Sequence, residues 1–234
     1  MNRSRIAGIR LGDVVIDILV RQSERARNLS LKYDSKKDMA VLVLPRGISE
    51  KRGFAFVEQH QDWLLDQIRS LPERLSFQVG ISIPYQGVDH VIRHDPDRRY
   101  GVRVTEGPGL AVAGPEEHLS RRLRDHLKKE AKARIVPLAK DYADQIGKTV
   151  GRISIRDQKT RWGSCSAKGD LSFNWRLIMA PPEVLDYVVA HEVAHLAQHN
   201  HSPAFWAVVE QIQPEMKRWR TWLKRHGNHL HRIG

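Results

Sequence analysis

The stretch from Pro181-Pro182 to about residue 199 constrains this chain more than any other. Paired prolines end what precedes them and suit the first turn of a helix. In the helix that follows, Val184, Leu185, Val188, Val189, Val193 and Leu196 spread around most of the circumference, the pattern of a helix enclosed on several sides. Enclosing it takes a substantial core, and 234 residues suffice for one large domain or two small ones. Yet the same helix carries His191, Glu192 and His195. Two imidazoles and a carboxylate buried without compensation cost several kcal/mol, so something must satisfy them.

The spacing points to a metal ion. In His191-Glu192-Val193-Ala194-His195 the histidines lie four apart, roughly 40° around the helix and one turn along, so both rings can face one cation. Deprotonated imidazoles on a metal remove the burial penalty. Glu192 sits beside that ion, where it can take a proton from a metal-bound water as general base. Cys165 is the single cysteine, which rules out an internal disulfide and a cysteine-rich zinc cluster and suits a reducing compartment.

A catalytic zinc takes three protein ligands and keeps one position for water. His199 lies about 12 Å along an unbroken helix from His191, too far for convergence at ~2.0–2.1 Å. His201 avoids this, because Asn200 tolerates the left-handed conformation that ends a helix and lets the chain turn back. Ser202-Pro203 then caps the next helix, which holds Phe205, Trp206, Val209 and Ile212. The expected third ligand is His201; His199 and a distant carboxylate, Glu210 or Glu215, are the alternatives.

Around this helix the chain reads as α+β. Residues 1–115 form a β-rich subdomain with period-two stretches at 14–20, 29–33 and 39–44 and further strands near 77–83, 88–93 and 99–104. One helix interrupts it, capped by Ser49 and stopped by Leu71-Pro72. Gly107-Pro108-Gly109 and Gly114-Pro115 mark the subdomain boundary. Residues 116–234 form the catalytic subdomain, opening with a long amphipathic helix or pair that Pro137 can bend. Strands at 152–156 and 171–179 lead to the buried helix, and no internal repeat is visible.

The net charge of +12 is concentrated. Residues 119–134 hold seven Lys/Arg against two acids and residues 217–234 six against none. Such a field can attract nucleic acid, nucleotide phosphates or acidic peptides, although charge runs are commonly just solvated helix faces. The basic N-terminus lacks the continuous apolar centre of a signal peptide, and no run approaches the ~20 apolar residues of a spanning helix, so the expectation is a cytoplasmic protein without a membrane partner.

Several stretches together resemble the YgjP-like metallopeptidase domain, a zincin relative of the SprT-type and WLM proteins. They are Arg161-Trp162-Gly163-Ser164-Cys165-Ser166, Asn174-Trp175-Arg176-Leu177, Tyr187-Val188-Val189-Ala190 running into His191-Glu192-Val193-Ala194-His195-Leu196, then Asn200-His201-Ser202 and Phe205-Trp206. Weaker likeness lies in Arg25-Ala26-Arg27 and Val43-Leu44-Pro45. The resemblance implies a zincin-like fold, zinc on His191, His195 and His201, and Glu192 as base, acting on peptides or proteins. It also implies that an edge strand at Arg161, Gly163 and Ser164, or at 173–177, aligns an extended substrate. Trp162, Trp175 and Trp206 read first as packing, and Cys165 as a small core residue. Tyr187 reads as packing or as a donor to a developing oxyanion. Two other classes stay open: metal-dependent hydrolysis of nucleotide phosphates, for which no phosphate-cradling glycine loop is present, and a nucleic-acid-associated zinc protein.

Overall fold

The computed structural model describes residues 4–12, 14–34, 37–69, 73–99 and 101–234. The protein is mixed α+β and divides into two units, Met1–Pro72 and Glu73–Gly234. Among the described residues no helix is long and apolar enough to cross a membrane.

In the first unit β1 (Ser4–Leu11), β2 (Val14–Ser23), β3 (Ser30–Asp34) and β4 (Met39–Pro45) form a sheet in the order β1-β2-β4-β3. Its alternating apolar residues, Ile16, Ile18, Val20, Leu42 and Leu44, bury one face against Val57 and Leu64 of the helices α1 (Glu50–Gln59) and α2 (Gln61–Arg69). Ser49 caps α1, its hydroxyl accepting from the Arg52 amide at 3.3 Å. The single helix expected here is two, because the chain breaks at His60, whose ring Nδ1 lies 2.8 Å from the Phe56 carbonyl oxygen. The expected stop at Leu71-Pro72 lies outside the described residues.

The second unit opens with β5 (Ser82–Tyr85), β6 (Val88–Asp95), β7 (Val102–Val104) and β8 (Gly109–Ala113), in the order β5-β6-β8-β7. An antiparallel first pair, a parallel central pair and an antiparallel last pair match the first sheet strand for strand. The chain therefore repeats a four-strand wiring that sequence inspection misses, because the two copies share pairing pattern rather than residues. Nor does the division fall near residue 115. The stretch between the two Gly-Pro clusters is itself a central strand, buried at all five positions. Ile83, Ile92, Leu110 and Val112 share one core with α3 (Leu119–Gln145) and the helices that follow, which ties this sheet to the second unit.

Helix α3 runs unbroken through Pro137, and Leu119, Leu123, Leu127, Ala131 and Ile135 form its buried stripe. A three-stranded sheet follows, β9 (Ile153–Arg156), β10 (Gly163–Cys165) and β11 (Leu171–Asn174), ordered β10-β11-β9. The strand expected over 171–179 stops at Asn174, whose side chain accepts from the Arg176 amide at 3.0 Å and starts a 3-10 turn over Trp175–Met179. Helix α4 (Pro182–Ala194) is buried on nearly every side, and Tyr142 of α3 hydrogen-bonds its Asp186. Helices α5 (Pro203–Ile212) and α6 (Met216–Leu230) complete the unit. Arg176 is buried and donates to the carbonyls of Ile233 and Gly234, both at 2.8 Å, while pairing with Asp157.

Candidate metal centre

Helix α4 ends at Ala194, short of the residue 199 that periodicity suggests. The chain then tightens: the amides of Leu196 and Ala197 donate to the carbonyls of Val193 and Ala194, each three residues back. His195 Nδ1 lies 3.0 Å from the Gln198 carbonyl oxygen, so the ring is held by the turn it helps to close. Asn200 is not in the left-handed region. Its carboxamide oxygen instead accepts from the Ser202 amide at 3.3 Å, a side-chain-closed turn that does the same work. Ser202 then caps α5, accepting from the Phe205 amide.

This early stop carries His201 back over α4. One ring nitrogen from each of His191, His195 and His201 lies within 4.8 Å of the others, and Nε2 of His201 stands 3.1 Å from Nε2 of His191. Three nitrogens around one tetrahedral ion at ~2.0–2.1 Å stand about 3.4 Å apart, so the cluster fits a first-row divalent cation. His199 is exposed and outside the group. Glu210 and Glu215 are engaged with Lys217 and Arg218.

Phe205 forms the floor of the centre. Its fully buried ring packs 4.9 Å from that of His191, 4.5 Å from His195 and 4.8 Å from His201, centroid to centroid. Burial pushes the His191 pKa down to about 3, with the charges of His195, His201 and Arg220 adding, and burial likewise lowers His195. Both rings are thus held neutral, the form in which imidazole binds metals. Nδ1 of His191 is buried without a partner, an unsatisfied polar atom inside the cluster.

Glu192 is 7% exposed, and burial raises its carboxyl to about 7, against a smaller downward pull from Arg161. Its side chain lies directly on β10. A Cβ on Gly163 would stand 2.5 Å from Glu192 Cγ and 2.6 Å from Oε1, so this position must be glycine for the carboxylate to sit as it does. Ser164 follows on the same edge strand, opposite Ser172 of β11. Gly163 thus lies against Glu192, Arg161 lies within electrostatic reach of it, and Ser164 is the next residue along the same strand.

The other side chains sort themselves by environment. Cys165 is half-buried, and burial with the charges of Glu192 and Asp170 pushes its thiol to about 11, which leaves it a poor nucleophile. Trp175 is fully enclosed, and Trp162 packs on Gly227 and the His231 ring. The buried Tyr187 ring lies 6.0 Å from that of His191, and burial lifts its phenol to about 12, keeping the donor proton in place. Trp206 stacks on His201 at 5.6 Å and 21°, and Arg220 of α6 stacks on Trp206 at 4.4 Å. Arg220 was not foreseen, because its proximity depends on how α6 packs on α4 and leaves no local signature.

No curated protein matches. The crystal structure of the metallopeptidase zymogen abylysin of Pyrococcus abyssi is 26% identical to this chain over 39% of its length and 93% of the other's, with a TM-score of 0.36. A family model for the YgjP-like metallopeptidase domain matches residues 27–226. The chain belongs to the YgjP-like metallopeptidase domain family.

Proposed function

We propose that the protein is a zinc-dependent peptidase of zincin-like architecture, with zinc held by His191, His195 and His201 and Glu192 as general base. The observation that carries this reading is the convergence of three imidazoles beside a buried carboxyl raised to about 7. Zinc, when bound, supplies a Lewis acid that polarises a carbonyl and makes a water acidic near neutral pH.

The chain's own residues do the rest. Glu192 takes a proton from the attacking water and can return it to the leaving amine, a role suited to a group whose pKa lies near the working pH. Its charge is not dispersed by solvent, because Gly163 and the surrounding core exclude water from one side. The free edge of β10 at Gly163 and Ser164 offers backbone groups to an extended substrate, and the exposed Arg161 sits where it can contact that chain. Peptides and proteins are the substrate class, and a cytoplasmic location accords with the single cysteine.

The test compares zinc-loaded wild type with Glu192→Gln against a peptide library and a nucleoside triphosphate panel. Expected is peptide cleavage by wild type and a loss of roughly 10²–10⁴-fold in the variant with zinc content unchanged. His191→Ala or His195→Ala should lose both metal and turnover. A fully active Glu192→Gln enzyme would refute the base, and turnover confined to the triphosphates would replace the substrate class.

A further inference from the structure

On the far edge of the same small sheet, Lys128, Lys129 and Lys132 of α3 and the four consecutive residues Ile153–Arg156 of β9 line one groove of about 500 Å³. Side chains alternate across a strand, so four residues in a row can line a single groove only along the strand's edge. β9 is the outermost strand on that side. The Leu171 amide donates to the Arg152 carbonyl at 2.9 Å, and Leu171 stands opposite Ile153. In a parallel ladder alternate residues bond to the neighbouring strand, so Ser154 turns its backbone groups toward β11, while Ile153 and Ile155 turn theirs toward the groove. Among the described residues no loop or helix backbone bonds to either of the two.

The groove is also one-sided in charge. Three lysines and Arg156 border it, and no acidic side chain does. The acids nearby have partners of their own: Asp125 pairs with Arg121, Glu130 accepts from the Tyr85 hydroxyl, and Asp157 pairs with Arg176 while also feeling the charge of Lys128. An open strand edge recruits another backbone, and clustered ammonium groups select carboxylates beside it. A phosphate backbone would use the lysines but leave the unpaired amides and carbonyls without partners.

We propose that the free edge of β9, walled by Lys128, Lys129 and Lys132, is a second binding site that takes an acidic peptide segment in extended form as an added strand. It is separate from the metal centre, which adjoins the opposite edge at β10, and it does not depend on the reaction carried out there. Its occupant is an extended segment of a partner protein that alternates carboxylate and apolar residues.

The test measures binding of fluorescent peptides to the full chain carrying Glu192→Gln, so that no probe is consumed. The probes are an alternating glutamate-valine peptide, its glutamine counterpart, the glutamate peptide N-methylated at alternate residues, and single-stranded oligothymidylate. Expected is salt-sensitive binding of the first, about tenfold weaker for the second and third. The double substitution Lys128→Glu with Lys132→Glu should weaken it at least tenfold. Ile155→Pro, which removes a groove-facing N–H, should weaken it comparably, whereas Ile155→Ala, which trims the same core-packed side chain but keeps the N–H, should not. Equal binding of the N-methylated and parent peptides, tighter binding of the oligonucleotide, or no binding at low ionic strength overturns the proposal.

Discussion

The two four-stranded sheets share one wiring and meet different surroundings. The first packs on α1 and α2 and closes a small core of its own around Ile18, Leu42, Val57 and Leu64. The second enters a much larger core with α3, the three-stranded sheet and α4, the helix that bears His191 and His195. A common topology can thus close a small core of its own or join a larger one. What separates the two uses is what the helices beside each sheet carry: α3 packs on the second sheet, and α4 packs in turn on α3. α1 is amphipathic, with Gly53 and Val57 its buried positions, whereas α4 is enclosed almost all round and can hold polar groups that solvent would otherwise neutralise.

This contrast can be broken by experiment, most strongly in the two cores. Leu42→Ala and Leu123→Ala each empty a fully buried site and should each cost about 2–5 kcal/mol. Only Leu123→Ala should also weaken metal binding, measured by titration of the metal-free protein. Equal losses of metal affinity would show that the first unit is no independent module.

The glycines give a sharper pair. A Cβ at Gly53 would stand 2.5 Å from Leu44 Cδ2, and one at Gly163 the same distance from Glu192 Cγ. Gly53→Ala should therefore cost about 1–3 kcal/mol in thermal or denaturant unfolding without touching kcat. Gly163→Ala should displace the carboxylate and lower kcat by about 100-fold with metal retained. Unchanged turnover in Gly163→Ala would mean that Glu192 need not lie against β10.

A further effect is electrostatic and belongs to the second unit alone. In the metal-free protein burial raises Glu192 from 4.5 to about 7. Its stabilising contribution is therefore fully present below pH 4.5 and is lost as the pH rises to about 7. Glu192→Gln abolishes that loss, so the stability of the variant relative to wild type should grow by at most about 3 kcal/mol across this window and level off above it. The opposite trend from His191, depressed to about 3, is common to both proteins and cancels. A pH-independent difference would mean the carboxyl is solvated.

Local patterns carried much of this protein. The enclosure of α4, the i, i+4 pairing of His191 and His195, the Ser49 and Ser202 caps and most of the strands are legible because each depends on neighbours within one turn or one hairpin. β8 was missed because Gly-Pro clusters flank it on both sides and its five buried residues lack the alternation of a half-exposed strand. His201 joins the other two rings by a device other than the one expected, since helix termination at Ala194 and an Asn200 side-chain turn replace the left-handed residue.

Residue types and short-range spacing were enough to say that a cation belongs on this helix, because helical geometry alone fixes where positions four apart can point. Which third imidazole joins the pair, why Gly163 must lack a side chain, and how Phe205, Trp206 and Arg220 gather around the rings were decided by packing between elements distant in the chain. Those contacts arise only when separate helices and strands bury their apolar faces together, and no local period encodes that.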